Sequence, residues 1–225
     1  MKKVVIIAAI LMICASSMVN AQDLKGMFNI TPYAGIGIPM GKMSDDLTST
    51  TDSSDLSRKL GFKFGANAEY FCTSNIGVGV DFMYAIFGNN YTQDQIDALG
   101  DNKLNSMNIG VHGKYVFMPE GMLRPYVTAG VGMTMNKVKD YIYRTGDSTF
   151  TGDLKVDSKL FLNGGIGAMY WVSEMISVFA EGDFDYLMTK NAKTKFNDAE
   201  VYEVSSGYYF IDFKVGINVW FGGTE

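Results

Sequence analysis

The sequence is poor in the residues that most often declare a chemistry. It has two cysteines and one histidine in 225 residues. Cys14 lies in the apolar leader described below, so Cys72 is left alone and the fold does not depend on a disulfide. His112 by itself cannot build a multi-histidine metal site. Runs of basic residues are missing, and the formal charge is −5, which argues against nucleic acid as a partner. Proline occurs only four times. Beyond residue 21 no stretch is apolar and continuous enough for a spanning helix, which needs about 20 residues. Linkers and low-complexity segments are also absent, so one domain is expected.

What is present begins with a leader. Lys2 and Lys3 precede an apolar run over 4–15, and Val19-Asn20-Ala21 offers a small-x-small cleavage site. Residues 1–21 therefore read as a secretory signal peptide, with 22–225 as the mature domain starting at Gln22. Losing the two lysines takes the formal charge from −5 to −7. A lipoprotein signal is the rival reading of Cys14, but it requires a small residue where Ile13 stands.

The mature chain is built on alternation. Its last segment places Tyr209, Ile211, Phe213, Val215, Ile217, Val219 and Phe221 on one face. Tyr208, Phe210, Asp212, Lys214, Gly216, Asn218 and Trp220 occupy the other. A period of two over this length is one β-strand with two unlike neighbourhoods. The same pattern predicts strands near 27–40, 59–71, 76–87, 105–117, 125–143, 154–171 and 176–188, making eight in all. Faces opposite the apolar ones are small, polar or charged. Gly35/Gly37, Gly77/Gly79, Gly130/Gly132 and Gly165/Gly167 recur there. None reaches the third glycine of a dinucleotide fingerprint, because Met40, Phe82, Met135 and Tyr170 stand in that place, and no cofactor is expected. A narrow, strongly curved barrel with little internal room explains so much strand glycine.

Alternation alone does not say which face is inside, since a soluble barrel has the same period. Three features select the inverted arrangement. Aromatics cluster near the strand ends on the apolar face: Phe28, Tyr70, Phe117, Tyr170 and Phe221 at one rim, Phe62, Tyr84, Tyr186 and Tyr209 at the other. Connections alternate: short near 73–74, 118–121 and 173–174, longer and polar near 41–58, 88–104, 144–153 and 189–206. Both are habits of membrane barrels. The leader supplies the third. The expected fold is therefore all-β: a transmembrane antiparallel up-and-down β-barrel of eight strands. Weak alternation through Tyr141 and Tyr143, with a turn at 145–148, extends strands five and six past the membrane as a hairpin. An exposed edge there offers pairing to an incoming strand.

The ending Lys214-x-Gly216-x-x-Val219-x-Phe221 resembles the C-terminal assembly signal of bacterial outer-membrane barrels, departing from it by the tail 222–225. Pro32-Tyr33-x-Gly35-x-Gly37 resembles the usual first strand of the small eight-stranded outer-membrane β-barrel family, OmpA- and OmpX-like, and 125–132 resembles its fifth. The resemblance spans nearly all of 22–221. It implies the outer membrane of a Gram-negative-type bacterium, contact with its lipid, and handling by the barrel-assembly machinery. The peptidoglycan-binding domain that OmpA-type proteins carry after the barrel is not expected, since the sequence stops at the last strand.

Inward faces carry Lys63, Glu69, Asp81, His112, Lys114, Glu181, Asp183, Asp185, Asp212 and Lys214. Asp183 and Asp185 share a face and fit an acid/base pair on paper, but buried charge of both signs reads first as an ion-pair network. Counting from the strand ends sets Glu181 and Asp183 near Lys214, and Asp81 near Lys114 or His112 with Glu69 close by. Asp45, Asp46, Asp52 and Asp55 read as a solvated acidic loop, because their spacing gives no ligand cage. The expected function is a non-enzymatic integral membrane protein that presents four outer loops and steadies the membrane. Adhesion or capture of an extracellular ligand or host surface by those loops is the alternative. A lipid A-modifying enzyme lacks a histidine-anchored pair on the outer face. A narrow channel conflicts with an eight-strand lumen, which side chains fill.

Overall fold

The computed structural model describes residues 23–41, 44, 58–91, 94, 96–97, 100–145, 148–196, 199–204 and 207–222. The leader and the acidic loop with Asp45, Asp46, Asp52 and Asp55 lie outside the described residues. Eight strands form the barrel: β1 (Phe28–Met40), β2 (Arg58–Phe71), β3 (Ile76–Asn89), β4 (Lys103–Val116), β5 (Leu123–Thr145), β6 (Ser148–Ser173), β7 (Ile176–Leu187) and β10 (Tyr208–Phe221). Each pairs antiparallel with its sequence neighbour, except that β7 continues directly to β10. Closure comes from β1 against β10, with Phe28 opposite Phe221 and Met40 opposite Tyr209.

The wall is inside out relative to a soluble protein. On the outer surface Ile166 is 70% exposed, Phe62 69% and Val215 61%. Lumen-facing Lys63 is 3% exposed and Asp212 2%. Such an apolar exterior is stable only against lipid, where a closed barrel satisfies every backbone group between strands. Among the described residues no helix is long and apolar enough to cross a membrane, so the strands do the crossing. Aromatic rings meet at both rims: Phe28 and Phe221 lie 6.3 Å apart at one, and Tyr186 stacks on Tyr209 at 4.8 Å at the other. Short turns of bacterial barrels are periplasmic and long connections extracellular, which orients the molecule.

The longer connections hold strand as well as turn. β5 and β6 pair out to Thr145 and Ser148, the long hairpin expected from the alternation through Tyr141 and Tyr143 and the turn at 145–148. In 189–206, β8 (Lys193–Phe196) and β9 (Ala199–Glu203) form a small hairpin. β8 adds to the outer edge of β6, with Leu154 opposite Phe196 and Val156 opposite Thr194. The β6 edge expected to be open for an incoming strand is therefore covered over this stretch by the chain itself.

The inner surface is layered. At the periplasmic end both tryptophans of the chain turn inward. Trp171 stacks on Trp220 at 5.0 Å, Phe71 sits 5.5 Å from Trp220, and the Arg124 guanidinium lies 4.5 Å over Trp171. Leu24 and Met27, in the turn before β1, are buried with the core. That turn is tied to the β2 end by Gly26 N–H to Phe71 O and Phe71 N–H to Met27 O, each 2.9 Å. Near the outer end Phe87 and Phe210 make a second aromatic contact at 4.8 Å. Between the two aromatic layers the lumen is charged.

Candidate functional site

Three ion clusters fill that middle layer. In the first, Glu69 on β2 accepts through Oε1 from Lys114 Nζ at 2.5 Å and from His112 Nε2 at 2.6 Å. Its Oε2 accepts from Asn29 Nδ2 at 2.9 Å. The other ring nitrogen of His112, Nδ1, meets Asp81 on β3. In the second, Lys214 on β10 bridges Glu181 at 2.8 Å and Asp183 at 3.1 Å, both on β7. Tyr126 donates its hydroxyl to Glu181 Oε2 at 2.7 Å. In the third, Lys63 on β2 bridges Asp212 and Asp185, the latter at 3.0 Å. Rings of Phe210 and Phe87 lie 5.1 and 5.9 Å from the same ammonium.

The lumen glycines make these contacts possible. Gly37 of β1 is paired with Asp212 of β10, and Lys63 of β2, paired with Gly35 two residues along β1, reaches over it. A Cβ at Gly37 would lie 2.6 Å from Lys63 Cε and 2.9 Å from Asp212 Oδ1. Gly79 of β3 plays the same part between Glu69 and His112, where a Cβ would lie 2.6 Å from His112 Cε1 and 2.9 Å from Glu69 Cγ. Long charged side chains thus reach over an intervening strand because that strand has no side chain there.

Every lumen residue named from the sequence is in this layer. Glu181 and Asp183 lie at Lys214, and Asp81 lies at His112, while Lys114 turns instead to Glu69. The pairing inside the Lys63 cluster is not readable from the sequence. Its partners are two strands away or across the lumen, and a count along neighbouring strands does not reach them. The tryptophan layer is likewise not evident from the sequence, although Trp220 falls on the inward period of the last strand. Of the residues in the assembly-signal motif, Lys214 and Gly216 are lumenal, and Phe221 lies on the lipid-facing side of the periplasmic rim beside Phe28. Val219 pairs with Ile30 across the closing seam. Among the described residues no group of three or more histidine, cysteine or acidic side chains is arranged to hold a metal ion.

Little space is left between the clusters. The cavity bounded by Tyr33, Lys63, Asp185, Asp212 and Lys214 measures about 30 Å³, and one beside Glu69, His112 and Lys114 about 10 Å³. Spaces of this size hold about one or two water molecules.

These features define the class: a small transmembrane β-barrel whose lumen is filled by ion pairs between aromatic layers. The chain belongs to the outer membrane protein beta-barrel domain family, which matches it over residues 7–221. Its place is the outer membrane. The fold is similar to that of Neisserial surface protein A, at 17% identity over 87% of this chain and 99% of that one, with a TM-score of 0.54. OprG from Pseudomonas aeruginosa is similar at 12% identity over 91% and 100%, with a TM-score of 0.56. A major outer membrane protein from Thermus thermophilus gives 11% identity over 86% and 99%, with a TM-score of 0.52. At such identities the likeness is one of fold. No curated protein matches the chain.

Proposed function

We propose that the protein is a non-enzymatic structural barrel that steadies the outer membrane and presents its outer connections to the medium. The observation that carries this reading is the filled lumen. Lys63, Lys114 and Lys214 are each held by a carboxylate, and the spaces beside them are water-sized. In this reading Glu69, Asp81, His112, Lys114, Glu181, Asp183 and Lys214 form a plug, neither a catalytic site nor a conduction path. Lys214, Gly216, Val219 and Phe221 serve recognition by the assembly machinery.

A second reading, binding of an extracellular ligand or surface, draws support from the long β5–β6 hairpin with the β8–β9 unit along its edge. These strands add an ordered platform outside the membrane, on which specificity would lie in side chains rather than in an open β6 edge.

Reconstitution into planar bilayers, with a lipid-modification assay on the same sample, tests the structural reading. Absence of steady conductance and of altered lipid is expected. Steady conductance, or turnover of lipid A, would overturn it. Whole-cell pull-down then separates a purely structural role from binding.

A further inference from the structure

The outer end of the lipid-facing wall carries a feature that the plug does not use. Here β4, β5, β6 and β8 lie side by side, and their registers set lysine against lysine. Lys103 is opposite Lys139, Lys137 opposite Lys155, and Lys155 opposite Lys195. Directly opposed side chains in a sheet stand about 5 Å apart, and like charges there repel. Carboxylates answer only part of this charge. Asp153 pairs with Lys137, and Asp157 with Lys195 at 3.2 Å. Among the described residues Lys103 and Lys139 have no ion-pair partner.

Directly beside the lysines the wall turns apolar. Tyr84, Met107 and Met135 line a groove of about 330 Å³ whose other side is formed by Lys137, Lys139 and Lys155. Tyr84 belongs to the outer aromatic rim, 5.4 Å from Phe64 between ring centres, and such rings mark the depth of the lipid headgroups. A soluble anion would satisfy the lysines and leave the groove unused. A membrane lipid brings both an anionic head and an apolar tail to this depth.

We propose that this site holds a phosphate-bearing lipid of the outer leaflet. Its headgroup phosphate sits on Lys103 and Lys139, and an acyl chain lies along Tyr84, Met107 and Met135. The opposed lysines are then tolerated because the bound anion lies between them. The proposal rests on the orientation that puts the long connections outside, which protease mapping on whole cells checks separately.

The test uses the full chain in nanodiscs of zwitterionic phospholipid doped either with bisphosphorylated lipid A or with its dephosphorylated form. Retained lipid is read by native mass spectrometry. Wild type should retain the phosphorylated lipid at least about tenfold better. Lys103→Gln with Lys139→Gln should lose that preference, while Lys193→Gln on the β8–β9 hairpin keeps it. Equal retention of the two lipids by wild type would overturn the proposal, as would an unchanged preference in the double variant. Competition by inorganic phosphate alone, at concentrations comparable to the lipid, would overturn the lipid as occupant. If the double variant fails to fold, the comparison of the two lipids on wild type decides.

Discussion

Replacing Lys63 by methionine removes the cation of the most enclosed ion cluster while keeping an unbranched side chain of similar length. The Lys63 side chain is 2% exposed, and its partners Asp185 and Asp212 are 6% and 3% exposed. The space beside them is the cavity of about 30 Å³, far too small for bulk solvent to take over their charge. Breaking such a buried pair costs about 3–5 kcal/mol, mainly because the surviving charge is left uncompensated. Loss of the ammonium over the Phe210 and Phe87 rings acts in the same direction. With a urea slope of about 2 kcal/mol/M, the unfolding midpoint should fall by about 1.5–2.5 M. Lys137→Met is the control. Its partner Asp153 and Lys137 itself are both 41% exposed, and pairs of that kind are worth about 0–1 kcal/mol. Adding Asp212→Asn to Lys63→Met should recover at least about 1 kcal/mol, since the two side chains touch. The assay is heat-modifiable gel mobility across a urea series in lipid. A midpoint for Lys63→Met no lower than that of Lys137→Met would refute the reasoning, and so would a double variant weaker than the single one.

Gly37→Ala should destabilise the barrel by about 1–3 kcal/mol in the same urea series, because the new Cβ meets Lys63 Cε at 2.6 Å and separates it from Asp212. Gly216→Arg should block assembly, since even a Cβ there would lie 2.5 Å from Phe179 Cε1 and from Pro32 O; folded yield in the outer membrane reports it. Phe221→Asp sits at the periplasmic rim, where a charge costs about 0–1 kcal/mol, so its larger effect should be on assembly yield rather than on the midpoint. Protease added to whole cells should cut within 144–153, and cutting near Ser173 instead would reverse the orientation. Amino-terminal sequencing of protein extracted from the outer membrane should begin at Gln22; Met1 retained there would remove the signal-peptide reading.

Much of the wall is legible in the sequence, because a strand's side chains alternate by chemistry as well as by geometry. The eight barrel strands fall within a few residues of their expected ends, β6 excepted, which starts earlier at Ser148. Hairpin connections also make sequence neighbours into sheet neighbours. For that reason Lys214 could be set beside Glu181 and Asp183 from the count alone, and Lys214 does face Glu181 across β10 and β7.

The sequence by itself therefore determined the strands, the inverted faces and the charge of the lumen. The tertiary structure alone decided which charges meet. Lys63 reaches Asp212 across β1, and Asp185 from a strand further on. Those meetings depend on the stagger of the closed barrel and on the empty space over Gly37, neither of which is written in the period of any one strand. The β8–β9 hairpin was hidden for a related reason. Lys193-Thr194-Lys195-Phe196 is too short and polar to announce a strand, and it becomes one because β6 offers it an edge, with Thr194 and Phe196 buried on docking. Both tryptophans show the same division. Alternation along β6 and β10 puts each of them on an inward period, and closure of the barrel then brings their rings together as the floor of the lumen.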